Sequence, residues 1–134
     1  MPHPIRCLLG MLGTDVHSKG IRTLAFLLRE RGVEVIYLGE HNTVPGMVAA
    51  IEQEDPDVVG LSFSSGGYVD YTGQLIGAMR AAGLGDIPVM LGGQIHPDDR
   101  PALDAMGVAG TFGPGSGIDD VMAFLGSLPA RGRG

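Results

Sequence analysis

A histidine and an aspartate stand two residues apart in a glycine-rich segment near the start of the chain. The segment runs from Gly10 to Gly20 and contains Asp15 and His17. A carboxylate that accepts a hydrogen bond from the Nδ1–H group of an imidazole leaves Nε2 as a base or as a metal ligand. The segment has no second histidine and no cysteine, whereas zinc or iron sites need three or four protein ligands. A cofactor that brings its own equatorial ligands would need only one.

The apolar pattern of the chain predicts strands that alternate with amphipathic helices. Five strand–helix repeats predict an α/β fold: a doubly wound, five-stranded parallel sheet with right-handed crossovers and helices on both faces. At this length the flavodoxin-like (Rossmann-like) strand order 2-1-3-4-5 is favoured. The predicted strands are 5–9, 33–38, 58–62, 88–91 and 108–112, and the predicted helices are 18–31, 44–53, 69–82, 97–106 and 118–125.

The strand order predicts where a ligand would bind. In open α/β sheets, ligands lie outside the carboxyl ends of the strands, near the point where the strand order reverses. For order 2-1-3-4-5 that point lies between the first and third strands. The loops 10–20, 62–68 and 92–99 should therefore form the site, and they carry many of the small polar residues.

Four motifs on these loops resemble those of the cobalamin-binding domain family. Asp15-x-His17-x-x-Gly20 matches the Asp-x-His-x-x-Gly signature, and segment 60–66 stands in place of the serine-bearing loop after the third strand. Gly92-Gly93 matches the double glycine after the fourth strand, and segment 107–116 resembles the last motif. The resemblance covers residues 5–126, and the motifs follow in the family's order.

The resemblance implies a base-off, His-on mode of cobalamin binding. The corrinoid would lie on the carboxyl end of the sheet, and His17 would replace the benzimidazole as the axial ligand of cobalt. The nucleotide tail would run into the core, where Ser62 would hydrogen-bond the displaced base and glycines 66, 92, 93, 113 and 115 would leave room. The cofactor-binding residues so implied are Asp15, Val16, His17, Ser18, Lys19, Gly20, Ser62, Ser64, Ser65, Gly66, Gly92, Gly93, Gln94, Ile95, Phe112, Gly113, Pro114, Gly115 and Ser116.

Three classes of protein use this kind of domain: adenosylcobalamin mutases, corrinoid methyl carriers, and cobalamin-dependent regulators. Carriers and regulators usually have a helical bundle ahead of the domain, whereas this sequence begins its first strand at about Ile5. We therefore expect the small subunit of a mutase, an isomerase that is inactive alone. Its partner would be a large TIM-barrel subunit that holds the substrate over the cobalt, in an α2β2 hetero-oligomer. No catalytic residue is expected in this chain.

Two mutase branches compete for the resemblance. Segments 34–37 and 110–115 resemble the acyl-CoA mutases of the methylmalonyl and isobutyryl kind, whereas segment 13–17 leans toward the small subunit of glutamate mutase. The acyl-CoA branch generally has a lysine in place of Met11 and a glycine or similar residue in place of Val16. We favour the acyl-CoA branch. A corrinoid carrier or sensor, and a flavodoxin-like domain without corrinoid, are two further hypotheses.

Composition excludes several other classes. The 134 residues predict one domain, with a core at 5–126 and a tail at 127–134, and the net charge of −6 without a basic stripe argues against nucleic acid. No apolar run reaches the roughly 20 residues that span a membrane. Cys7 is expected in the core, and a lone cysteine without a signal peptide favours a cytoplasmic location.

Two further histidines have open roles. His41 could contribute to the entry of a helix or touch the cofactor, and His96 could be functional or merely polar.

Overall fold

A computed structural model of the chain describes residues 4–13, 17–64 and 66–129. Within those residues, strands and helices alternate as the sequence predicts. The elements are β1 (Arg6–Leu12), α1 (Lys19–Glu30), β2 (Glu34–Asn42), α2 (Val44–Glu54), β3 (Val58–Phe63), α3 (Tyr68–Ala81), β4 (Val89–Gly93), a 3₁₀ turn (Pro97–Asp99), α4 (Arg100–Met106), β5 (Gly110–Phe112) and α5 (Ile118–Ser127).

The strands form one parallel sheet in the order β2-β1-β3-β4-β5. This confirms the predicted flavodoxin-like order. β1 pairs with β2 on one side and with β3 on the other, so the strand order reverses between β1 and β3. The segments that leave these two strands therefore flank the position where such folds bind ligands.

Side chains of successive β1 residues enter two separate cores on opposite faces of the sheet. Cys7 and Leu9 pack with α1 and α5, whereas Leu8 and Leu12 pack with α2, α3 and α4. All four side chains are at most 2% exposed. A sheet covered on both faces needs apolar residues at consecutive positions, which explains the continuous apolar runs of β1 and β3. The expected core position of Cys7 is confirmed.

Several element boundaries differ from the predicted ones. β1 continues to Leu12 instead of ending before Gly10, because β2 extends beside it and pairs Leu12 with Asn42. β2 gains its extra length through a bulge, since the register shifts twice between Leu9 and Leu12. The predicted helix 97–106 is divided into a 3₁₀ turn and α4, with a proline near the start of each part.

His41 lies inside β2, with a φ of +61°. It precedes the N-cap residue of α2 by two positions. Thr43 is that N-cap residue, and its Oγ1 accepts a hydrogen bond from the Gly46 N–H at 3.0 Å. No helix in the described ranges is long and apolar enough to span a membrane.

Candidate functional site

His17 lies between the carboxyl end of β1, where Gly13 is the last described residue, and the start of α1. Gly13 has a φ of +80°, and its N–H donates to the Asn42 carbonyl oxygen at 3.1 Å. At the other end, Ser18 is buried and its carbonyl oxygen accepts from the Arg22 N–H at 3.0 Å. The exposed His17 thus follows the reversal point of the sheet and precedes α1 directly.

Three of the predicted cofactor contacts lie outside the described residues, namely Asp15, Val16 and Ser65. The expected hydrogen bond between Asp15 and His17 therefore stays a prediction. Ser64 is half-buried, and Gly66 is exposed, with open space around the position of a Cβ atom.

The loops after β3 and β4 are joined by their backbones. The Gln94 N–H donates to the Phe63 carbonyl oxygen at 2.8 Å, and Gly93 has a φ of +112°. A Cβ atom on Gly93 would lie 2.1 Å from the same oxygen. The double glycine thus allows two backbones to approach each other, in addition to any space it leaves for a ligand.

A hydrogen-bonded cluster holds the loop that follows β4. The Tyr68 hydroxyl donates to the Asp99 carboxylate and accepts from the His96 N–H at 3.0 Å. The hydrogen bond to the Asp99 carboxylate raises the pKa of Tyr68. His96 Nδ1 accepts from the Asp98 N–H at 3.1 Å, so His96 caps the 3₁₀ turn. Ile95, a predicted cofactor contact, has its side chain in the core beside α3.

A cavity of about 320 Å³ lies between α1 and α5, at the carboxyl ends of β3, β4 and β5. Its walls are largely apolar, and small residues and hydroxyl groups border it. The lining residues are Gly20, Ile21, Thr23, Leu24, Leu27, Ser62, Gly93, Phe112, Gly113, Ser116, Gly117, Ile118 and Val121.

A smaller pocket of about 40 Å³ shares part of this lining and lies over the sheet. Gly60 lines it, where a Cβ atom would stand 2.6 Å from Leu9 Cδ2 and 3.0 Å from Met90 Cε. Ser62 lines both the cavity and the pocket, which places it between the opening and the core. The two spaces adjoin, since they share part of their lining, and together they are called the slot; its largely apolar walls with a few hydroxyl groups are typical of small-molecule sites.

The structure brings only some of the predicted contacts to this cavity. Gly20, Ser62, Gly93, Phe112, Gly113 and Ser116 line it, and Gly92 lines the inner pocket. Ser18 and Lys19 lie at the start of α1, and Gly115 has open space around the position of a Cβ atom. Pro114 and Gln94 belong to the loops beside the cavity.

Sequence reasoning missed the helical walls of the cavity. Leu24 and Leu27 on α1 and Val121 on α5 have the spacing of core residues, and the sequence alone gives no reason to separate the lining positions from the packed ones. Gly60 was also missed as a residue of the inner pocket. Among the described residues, no group of three or more His, Cys, Asp or Glu side chains could hold a metal ion.

Comparisons with known proteins add a family and two full-length relatives. Residues 5–122 match the model of the B12 binding domain. The pivalyl-CoA mutase small subunit of Xanthobacter autotrophicus is 36% identical over 130 residues, which are 97% of this chain and 87% of that protein. The 2-hydroxyisobutanoyl-CoA mutase small subunit of Aquincola tertiaricarbonis is 33% identical over 132 residues, which are 96% of this chain and 97% of that protein.

A solved structure supports the fold independently. A cobalamin-binding protein from Desulfitobacterium hafniense superposes with a TM-score of 0.79 over 94% of this chain and 59% of that chain. The two sequences are 21% identical, so this likeness concerns the fold alone.

Proposed function

This chain belongs to the B12-binding domain family and is a small subunit of the acyl-CoA mutase kind, and we propose that it binds adenosylcobalamin with His17 as the lower axial ligand of cobalt. The observation that carries the proposal is the slot between α1 and α5. It lies at the carboxyl edge of the sheet, the edge at which the His17 segment leaves β1. One cofactor could therefore reach both places.

The residues of the slot fit the nucleotide tail of a cobalamin. The tail ends in a flat aromatic base, and the apolar walls that Leu24, Phe112 and Val121 provide suit such a ring. A buried ring nitrogen requires a hydrogen-bond donor, and the half-buried Ser62 hydroxyl is a suitable one. Gly20 and Gly117 border the cavity, and an added Cβ atom at either position would meet nothing within 4 Å. No side chain therefore fills the cavity at these two points.

His17 is suited to the axial position because it is exposed at the binding edge and held at the start of α1. A neutral imidazole donates an electron pair from Nε2 when Nδ1–H is hydrogen-bonded, and Asp15 is the proposed acceptor of that bond. When bound, adenosylcobalamin supplies radical chemistry through cleavage of its cobalt–carbon bond. The chain's own part is to bind the cofactor, to orient it and to supply the axial nitrogen.

The mutase assignment implies a large catalytic partner subunit, as the names of the small-subunit relatives indicate. We propose that the partner is a TIM barrel that covers the exposed face of the cofactor, in an α2β2 assembly. The acyl groups named for the two relatives both carry a fully substituted carbon next to the thioester. An acyl-CoA of that class is accordingly the proposed substrate, and the acyl-CoA branch is preferred to the glutamate type.

Electron paramagnetic resonance of the Co(II) form tests the ligand. The purified chain is mixed with cobalamin, the cobalt is reduced to Co(II), and splitting from one axial nitrogen is expected. If the axial nitrogen belongs to a protein histidine, labelling the histidines with ¹⁵N should change the splitting from three lines to two, because ¹⁴N has a nuclear spin of 1 and ¹⁵N a nuclear spin of 1/2. His17→Ala should abolish this dependence on the label.

Two other exposed histidines provide matched controls. His41→Ala and His96→Ala remove imidazoles whose side chains are 59% and 66% exposed, and neither should alter the nitrogen splitting. Retention of the ¹⁵N-dependent splitting in His17→Ala would refute the assignment. In a separate assay, the chain should show mutase activity only after addition of the large subunit, and turnover by the chain alone would contradict the subunit role.

A further inference from the structure

Two residues outside the predicted site hold the point from which the His17 segment departs. Gly13 is the last described residue before that segment, and His17 follows it after four steps along the chain. Four residues span at most about 14 Å, so the position of Gly13 limits the region in which the imidazole can lie.

Asn42 holds Gly13 from the side of β2. Its carbonyl oxygen accepts from the Gly13 N–H at 3.1 Å. Its side-chain Nδ2 donates to the Met11 carbonyl oxygen at 3.0 Å and to the Gly39 carbonyl oxygen at 2.9 Å. Two of these hydrogen bonds tie the end of β1 to Asn42, and the third, to Gly39, holds the Asn42 side chain against the bulge of β2.

Tyr71 holds Gly13 from the opposite side. It lies in the first turn of α3, where its N–H donates to the Gly67 carbonyl oxygen at 3.0 Å. A Cβ atom on Gly13 would stand 2.5 Å from the Tyr71 hydroxyl oxygen and 2.6 Å from Cζ. The end of the phenol ring therefore lies close to the Gly13 backbone, and a Cβ atom at this position would require the ring to shift.

These contacts come from both sides of the strand-order reversal, since β2 pairs with β1 and α3 follows β3. We propose that Asn42 and Tyr71 are positioning residues for His17. They hold Gly13 at one end of the segment, and the buried Ser18 lies at the other end, at the start of α1. This inference rests on the proposed role of His17 as the axial ligand.

Axial ligation depends on the location of one nitrogen atom, and functional groups need to be held within about 0.5 Å of their working geometry. Tyr71→Leu removes the phenol end that contacts Gly13 but keeps an apolar side chain, and Asn42→Asp removes the two side-chain hydrogen-bond donations at nearly constant shape. Loss of residues that orient a metal ligand typically costs about 10- to 100-fold in affinity. Both variants should therefore weaken cobalamin binding by this factor and reduce the ¹⁵N-dependent part of the nitrogen splitting of the Co(II) form.

Conservative and matched variants separate positioning from general damage. Tyr71→Phe keeps the ring carbons over Gly13 and should retain the parental splitting. Tyr37→Leu makes the same chemical change at a half-buried tyrosine of β2, where the ring packs in the core with α1 and α5, and it should retain the splitting too. Circular dichroism establishes that each variant is folded under the conditions of the binding assay.

A double-mutant cycle tests the contact itself. Gly13→Ala should reduce ligation in the parent, because the new Cβ meets both the Tyr71 ring and an unfavourable φ. Since Tyr71→Leu opens the space, Gly13→Ala should cost less in that background, and additive effects would contradict the proposed contact.

The outcomes distinguish this inference from the proposed function. Parental ¹⁵N-dependent splitting and affinity in Tyr71→Leu and Asn42→Asp, combined with loss of the ¹⁵N-dependent splitting in His17→Ala, would overturn the positioning role alone. A ¹⁵N-dependent splitting that survives in His17→Ala would overturn the ligand assignment, and the positioning role with it.

Discussion

The backbone of Gly93 lies against that of Phe63 so closely that a Cβ atom at Gly93 would stand 2.1 Å from the Phe63 carbonyl oxygen. The neighbouring Gln94 N–H donates to that same oxygen at 2.8 Å. The loops that follow β3 and β4 are thereby joined beside the cavity, and a side chain at residue 93 would drive them apart.

Gly93→Ala should lower the free energy of unfolding by about 3 kcal/mol or more, since the clash is with backbone and the φ of +112° is also strained. Gly115→Ala is the control, because its φ is +93° but nothing lies within 4 Å of the added atom. It should cost about 1 kcal/mol, from strain alone. Urea unfolding followed by circular dichroism measures both, and equal losses would show that the contact with Phe63 is unimportant.

Gly20→Leu should weaken cobalamin binding without loss of stability. Gly20 borders the cavity, and nothing lies within 4 Å of an added Cβ atom. A leucine would put its side chain beside or within the space proposed for the nucleotide tail. Because glycine is a poor helix former, the substitution should stabilise α1 by about 0.5–1 kcal/mol.

Gly77→Leu is the matched control for Gly20→Leu. Gly77 is an exposed glycine of α3 with the same open surroundings, on the opposite face of the sheet from the cavity. The Gly77→Leu variant should gain similar helix stability and should bind cobalamin with the affinity of the parent. Titration followed by visible absorption gives both dissociation constants, and unchanged affinity in Gly20→Leu would argue against a tail in the slot.

Cys7 should be unreactive in the folded protein. Burial raises the pKa of its thiol from the ordinary 9.0 to about 12, so the reactive thiolate is scarce and also inaccessible. A thiol reagent added at neutral pH should react at the rate of unfolding, and at once in denaturant. Rapid labelling of the native chain would contradict the burial.

The same raised pKa makes stability depend on alkaline pH. Below pH 9.0 the thiol is protonated in both states, so its contribution is fully present; between pH 9.0 and about 12 only the unfolded state releases the proton. Relative to Cys7→Ala, the parent should lose up to about 1.4 kcal/mol per pH unit in that interval. Urea midpoints at a series of pH values measure the stability difference between the parent and Cys7→Ala. A difference that stays constant across this pH interval would refute the prediction.

Thr43→Ala should destabilise the protein by about 1 kcal/mol, because the Gly46 N–H loses its acceptor at the start of α2. Thr43→Ser retains the hydroxyl and should stay closer to the parent. Thermal unfolding compares the three proteins. A serine variant as unstable as the alanine variant would assign the loss to the methyl group instead of the cap.

The sequence by itself determined the fold and the region of the site. Alternation of short apolar runs with amphipathic segments allows few arrangements other than a doubly wound parallel sheet, because handedness and layer packing restrict the topology. The motif around His17 and the double glycine are local features, so their positions at the ends of β1 and β4 follow directly from the strand pattern.

The tertiary structure decided which distant side chains meet. Leu24 and Val121 look like core residues in the sequence, and only the separation of α1 from α5 makes them walls of a cavity. The contact of Tyr71 with Gly13 joins a residue of α3 to the turn that follows β1, and no local pattern encodes such a contact. Sequence periodicity records which face of an element is buried, whereas the gaps and close contacts between buried faces depend on the packing of the whole chain.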